Sequence, residues 1–163
     1  MAIRNIRYLG DEILRKRAKD VDKVDEKIKE LLDDMVETMK EYDGIGLAAP
    51  QIGILKRIIV IDVPEVTEKP IKLVNPVILE QKGSQVAEEG CLSIPKKFAK
   101  VKRPAEVKVE ALNEDGQKVT INAKGIMAVV LCHEIDHLNG TVFTDKMIPG
   151  TLEEEVENNN KKR

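Results

Sequence analysis

The chain has 163 residues, enough for one domain with a real hydrophobic core. Lys plus Arg number 27 against 29 Asp plus Glu, and the formal charge of -2 offers no global attraction for nucleic acid. With no Trp, and only Tyr8, Tyr42, Phe98 and Phe143 to stack on bases, direct nucleic-acid recognition is excluded as the main task. The first dozen residues lack the apolar stretch of a signal peptide, and no segment approaches membrane-spanning length. Two cysteines without secretory context point to a reducing cytosol rather than a disulfide framework.

Residues 1 to 20 read as an irregular lead-in, with a turn at Gly10-Asp11 and a short apolar anchor at Ile13-Leu14. An amphipathic helix follows: Val24, Ile28, Leu31, Leu32, Met35, Val36 and Met39 repeat with the 3.6-residue period. Asp22 or Asp25 is expected to cap it. Its charged side (Lys27, Lys29, Glu30, Asp33, Asp34, Glu37) is expected to be solvated, and the helix should stop at Asp43-Gly44. The stretch GIGLAAPQIG, residues 44 to 53, reads as a loop of little side-chain bulk, suited to close approach of a backbone. Gln51 is its one strong side-chain hydrogen-bonding group. Arg57 to Val63 is a buried strand by its continuous apolar run, and Lys72 to Leu79 a second strand with a bulge or edge at Pro76. Gln81 to Gln85 is a turn, and EEGCLSIP, residues 88 to 95, an extended loop. Val107 to Leu112 and Lys118 to Ile121 alternate apolar and polar around Asn113-Glu114-Asp115-Gly116, the signature of a hairpin.

The next run, Ile126 to Cys132, is apolar on every side, so it reads as a buried helix ending at Asn139-Gly140. It leads into His133-Glu134-Ile135-Asp136-His137, which holds the only two histidines of the chain. Four residues apart on a helix, the two imidazoles share one face and can share one ion. Glu134 points about 100° away from His133, beside the ion without being its ligand. That is the H-E-x-x-H arrangement of metal-dependent hydrolases, with the carboxylate as general base. After Pro149-Gly150 the tail reads as a short helix fraying into disorder.

A catalytic site of this kind needs a third protein ligand and an open position. Asp145 and Glu153-Glu154-Glu155 lie downstream, Cys132 lies about 100° round the helix from His133 and should face away, and Cys91 sits far off in the chain. A lone cysteine is most simply a small buried hydrophobe, so on the residues alone the third ligand stays open.

Taken together, GIGLAAPQIG, EEGCLSIP and HEIDHLNG, in this order and in a chain of this length, resemble the peptide deformylases. LGDEILRKRAKDV, KLVNP, RPAEVKVEALNEDG and FTDKM extend the likeness over most of residues 3 to 148. Lys96-Lys97-Phe98 is more basic than the small residue usual there in the family, which bears on how the far end of a peptide is held. The resemblance implies an α+β fold, with antiparallel β-sheets packed around a central buried helix carrying HEIDH. It implies a catalytic domain over residues 1–150, followed by a short polar tail over 151–163. It implies one divalent metal ion per chain on Cys91, His133 and His137, natively Fe2+, with Zn2+, Ni2+ or Co2+ able to occupy the site. Glu134 would be the general base, with the Gln51 amide and the Leu92 backbone N–H as donors to the oxyanion. Ile45, Gly46 and Gly90 would pair with an extended peptide, and Ile45, Ile126, Val129 and Val130 would wall its methionine pocket. For those four wall residues core packing is an equally good account. Asp136 and Arg103 are expected to pair. The implied reaction removes the N-terminal formyl group from formyl-methionyl nascent polypeptides in a bacterial cytoplasm, with the ribosome near its exit site as a candidate partner and no membrane. The rivals are a zinc metallopeptidase with another third ligand and a structural metal module, which would have no need of Glu134.

Overall fold

The computed structural model describes residues 2–155. Helix α1 (Glu26–Glu41) begins where Asp25, in an extended conformation, accepts the Ile28 N–H. Asp22 is exposed and Val24 precedes the first helical residue, so of the two expected caps Asp25 serves. The helix ends at Tyr42, and Asp43 takes a positive φ of 56°. Ile28, Leu31, Leu32, Met35 and Met39 are buried, as the 3.6-residue period requires. One residue of the supposedly solvated side is not solvated: Asp34 is 2% exposed. Its carboxylate accepts the Ala2 N–H at 2.7 Å and the Arg4 guanidinium at 2.8 and 3.1 Å, which ties the lead-in to the helix. The lead-in itself contains a short 3₁₀ helix (Glu12–Arg15) whose Leu14 is fully buried.

Strands β1 (Gly46–Ala48), β2 (Ile58–Ile61), β3 (Ile71–Lys82), β6 (Glu106–Leu112) and β7 (Lys118–Lys124) form one antiparallel sheet in the order β1-β2-β3-β6-β7. Residues 46–52 are therefore not a plain loop: β1 pairs with β2, and a 3₁₀ helix (Ala49–Ile52) follows. Small side chains let this strand lie against the site, a pairing no local pattern reveals. β2 is buried at every position because its two faces meet different cores. Ile58 and Val60 pack with α1, whereas Ile59 and Ile61 pack with helix α2 (Ile126–Leu138). The bulge expected at Pro76 is present as a register shift between Val74 and Val77, where Asn75 has φ 53° and bonds both the N–H and the carbonyl of Val21. The hairpin across Asn113–Gly116 joins β6 to β7.

A second antiparallel sheet, in the order β4-β5-β8, is built from β4 (Gln85–Cys91), β5 (Ile94–Arg103) and β8 (Glu153–Glu154). EEGCLSIP is thus mostly strand and tight turn rather than an extended loop, with Cys91 the last residue of β4. The start of the tail is strand rather than helix. The edge of β5 carries unpaired backbone groups, and Glu153 and Glu154 pair there with Phe98 and Lys97, while the Glu155 N–H donates to the Lys96 carbonyl at 2.6 Å. The rest of the tail, with its terminal Lys161-Lys162-Arg163, lies outside the described residues. A further short helix, α3 (Phe143–Lys146), buries Phe143. The fold is α+β with antiparallel sheets and few helices. Among the described residues no helix is long and apolar enough to cross a membrane.

Candidate active site

Helix α2 is buried along residues 127 to 135, and only its first residue, Ile126, is exposed, at 51%. The departure from an all-round buried run has a simple cause: Ile126 stands on the wall of a cleft. His133 and His137 follow one turn apart on the same helix, their ring centroids 5.0 Å from one another. Cys91 reaches them from the end of β4, with Sγ 3.3 Å from His137 Nε2. The potential ligand atoms of Cys91, His133 and His137 all lie within 4.8 Å of one another. One thiol and two imidazoles suit a first-row divalent ion, and three such ligands rather than four among the described residues leave a position open for chemistry. Cys132 is packed in the core with its thiol pushed up to about 11 by burial, so it stays protonated and turned to other company.

The imidazoles are held from behind. His133 Nδ1 meets Glu89 Oε1 at 2.8 Å, which leaves Nε2 for an ion. Glu89 accepts from Arg103 Nε at 2.7 Å and Nη2 at 2.8 Å; Arg103 Nη1 donates to Asp136 Oδ2 at 2.7 Å; and Lys146 Nζ donates to Asp136 Oδ1 at 3.0 Å. The expected Asp136–Arg103 pair is there, but as one end of a longer chain whose key member the sequence did not disclose. Burial raises the pKa of Glu89, yet Arg103 and His133 outweigh it and hold the carboxyl below its usual range. The one signal for Glu89 was its nearness to Cys91, two residues on, although the strand register shifts between them. His137 is kept neutral by burial, with the Arg103 guanidinium acting in the same direction. A neutral imidazole is the form that ligates. Its Nδ1 is buried without a hydrogen-bond partner among the described residues.

Glu134 is 4% exposed, and burial pushes its carboxyl up to about 7. Oε2 stands 3.9 Å from His133 Nε2, and Oε1 has no partner among the described residues. Gly46 makes room for it: a Cβ at that position would sit 2.9 Å from Glu134 Cδ. Gln51, 1% exposed, enters from the 3₁₀ helix after β1. Its Oε1 accepts the Ala48 N–H at 3.0 Å, and its Nε2 donates to Ser93 Oγ at 3.1 Å and to Cys91 Sγ at 3.4 Å. Leu92 occupies the turn between β4 and β5.

These groups open on a cleft of about 750 Å³. Ile45, Gly46, Gly90, Ile126, Val129 and Val130 all line it, together with Gln51, Cys91, Leu92, His133 and Glu134; His137 lies behind the wall. Val130 serves both accounts, since it also belongs to the core under α2. Gly90 lies against the Phe98 ring, where a Cβ would come within 2.7 Å of Cε1. Lys96, Lys97 and Phe98 line the cleft as well, and so do Tyr8 of the lead-in and Glu155 after β8, neither of which was expected there.

The family described as Polypeptide deformylase matches residues 3–152. The peptide deformylase of Acetivibrio thermocellus is 58% identical over 157 residues, covering 96% of this chain and 91% of that one. The peptide deformylase of Alkaliphilus metalliredigens is 57% identical over 148 residues, covering 91% and 99%. Among solved structures, peptide deformylase from Thermotoga maritima superimposes with a TM-score of 0.88 at 45% identity, over 91% of this chain and 100% of that one. Peptide deformylase from Synechococcus elongatus, solved in complex with actinonin, gives 0.85 at 41% identity, over 90% and 79%. With that match running nearly end to end through both sheets and the Cys/His/His cluster, this chain belongs to the polypeptide deformylase family.

Proposed function

We propose that the cleft carries out the reaction of this family, hydrolysis of the N-terminal formyl group of formyl-methionyl nascent polypeptides, with Glu134 as the group that moves the proton. The observation that carries the assignment is the Glu134 carboxylate itself: buried, pushed up to about 7 and set beside the Cys91, His133 and His137 cluster. A site built only to hold a metal has no use for such a group. One divalent ion per chain would be held by Cys91, His133 and His137; the resemblance favours Fe2+, with Zn2+, Ni2+ or Co2+ as alternatives. When bound, the ion supplies Lewis acidity, lowering the pKa of water and offsetting negative charge on the reacting oxygen.

The residues of the chain do the rest. Glu134 takes a proton from the attacking water and delivers it to the departing amine nitrogen as the formamide C–N bond breaks, releasing formate and a free N-terminus. The Gln51 amide and the Leu92 N–H donate to the oxygen that gains charge. The peptide lies as an added strand along Ile45-Gly46 and Gly90. Among the described residues β1 and β4 each end a sheet, so each has one edge without a strand partner there, which supports this assignment. Ile45, Ile126, Val129 and Val130 form the apolar wall for the methionine side chain. Helix α2 is the central element about which both sheets are disposed, and residues 1–150 form the catalytic unit, with 151–163 as its tail. The setting is a bacterial cytoplasm, where formylated chains emerge from the ribosome, and the ribosome near its exit site is a candidate partner.

A zinc metallopeptidase would need a downstream acid as third ligand. Asp145 is instead engaged by Arg15 and the Val142 N–H and does not line the cleft, and although Glu155 does line it, the cluster of close ligand atoms among the described residues is Cys91, His133 and His137, with no acid in it. The deciding experiment is an anaerobic assay of Fe2+-loaded protein on formyl-Met-Ala-Ser, with unformylated casein alongside. Formate release with intact casein is the expected outcome. Cut casein without formate would establish the peptidase instead.

A further inference from the structure

Gln51 is pinned at both ends of its amide. Oε1 accepts the Ala48 N–H at 3.0 Å, and exchanging the amide oxygen and nitrogen would set two donors against each other there. Nε2 is therefore the end directed at Ser93 Oγ, 3.1 Å away, and at Cys91 Sγ, 3.4 Å away. An amide nitrogen carries two hydrogens in fixed directions. With one taken by the Ser93 hydroxyl, the other is left for the sulfur or for a reacting oxygen in the cleft. The Ala48 bond decides which end of the amide faces the cleft, but a single contact at Oε1 leaves the amide plane free to rock, since the last torsion of a Gln side chain is broad.

Ser93 is placed to prevent that. It is fully buried in the turn between β4 and β5, two residues after Cys91. The lead-in ties this turn to the segment that bears Gln51: the Leu9 N–H donates to the Ser93 carbonyl at 2.9 Å, and the Arg7 N–H to the Gln51 carbonyl at 2.7 Å. The two segments come from different sheets, so their spacing depends on such ties.

We propose that Ser93 is a positioning residue of the deformylation reaction: its hydroxyl takes one N–H of Gln51 and thereby aims the other into the cleft. This rests on the assignment of Gln51 as a donor to the charged oxygen. Preorganised donors act because they need no reorientation as charge develops. A hydroxyl that merely satisfied a core turn would leave turnover alone when removed.

The test is a double-mutant cycle on the Co2+-loaded full chain, with formyl-Met-Ala-Ser as substrate. Ser93→Ala, Gln51→Leu and the double variant are compared for kcat, KM, metal content and melting temperature. Ser93→Ala should lower kcat by about tenfold to a hundredfold, with KM, metal content and melting temperature near those of the parent. In the Gln51→Leu background the same change should cost less than about twofold, because the two side chains act as one unit. Ser93→Ala with near-parental kcat beside a strongly slowed Gln51→Leu overturns the inference and leaves the donor assignment standing. An equal loss in both backgrounds also overturns it, since Ser93 would then act without Gln51. Full activity in Gln51→Leu removes the donor assignment and the inference with it. Should Ser93→Ala melt early or lose metal, Ser93→Cys, which keeps the size but has only a weak acceptor, is judged by the same criteria.

Discussion

Glu134 shows how burial can tune one carboxyl for proton transfer. Its pKa is pushed up to about 7 by burial, while a divalent ion beside it would favour the carboxylate and draw the value back down. The base must be ionised to accept a proton, so kcat/KM of the metal-loaded protein should fall on the acid side with a midpoint below 7. Glu134→Ala should keep its metal and lose about 10²–10⁴ in rate. A profile that stays flat down to about pH 4, or a Glu134→Ala variant with ordinary turnover, would assign the proton transfer elsewhere. Glu89 works one step behind, orienting His133 through a bond of 2.8 Å. Glu89→Gln keeps the shape but not the charge, and metal affinity should drop by about 10–100-fold, measured by competition with a chelator. Unchanged affinity would reduce Glu89 to a partner of Arg103.

At the scale of the element, α1 illustrates how a helix face can be misjudged from its charge. Asp34 lies among charged neighbours that are exposed or half-buried, yet it is itself buried against the lead-in. Burial works against its ionisation, but the Arg4 guanidinium and the Ala2 N–H outweigh that and hold its pKa below the usual value. A depressed folded-state pKa contributes stability above the ordinary carboxyl value of about 3.9, and that stability is lost as pH falls through the folded-state value. Asp34→Ala should therefore destabilise by about 1.5–3 kcal/mol near neutrality. In urea melts the gap from the parent should shrink in acid. A gap independent of pH would mean that packing, not the ion pair, is what the substitution removes. β1 teaches the companion lesson: a strand of Gly, Leu and Ala has little strand propensity of its own, and it is β2 alongside that makes it one.

For the whole molecule, the metal site is also a staple. Cys91 and His137 are 46 residues apart and belong to different layers, a sheet edge and a helix. An ion that binds the assembled site and not the unfolded chain stabilises the fold by mass action, about 4 kcal/mol when free metal is a thousandfold above its Kd. Chelation should lower the melting temperature, and metal returned to the apo protein should restore it. A melting temperature indifferent to metal would mean that the three ligands are held together without it.

What the sequence by itself determined is local. The 3.6-residue period of α1, the apolar run of β2, the Asn113–Gly116 hairpin and the shared face of His133 and His137 all follow from residues within a few positions of one another, where backbone geometry alone dictates who meets whom. The family likeness added Cys91 by motif, but nothing in the local pattern could bring it to the histidines. Only the tertiary structure decided that Cys91 ends a strand, that Glu89 stands behind His133, that Ser93 takes a hydrogen of Gln51, that Asp34 is buried and that Glu153 and Glu154 close the edge of β5. Each of these is a contact between distant parts of the chain. Such contacts are set by which unsatisfied edge, charge or cavity the folded neighbours leave open, and that is a property of the assembled layers rather than of any stretch of residues.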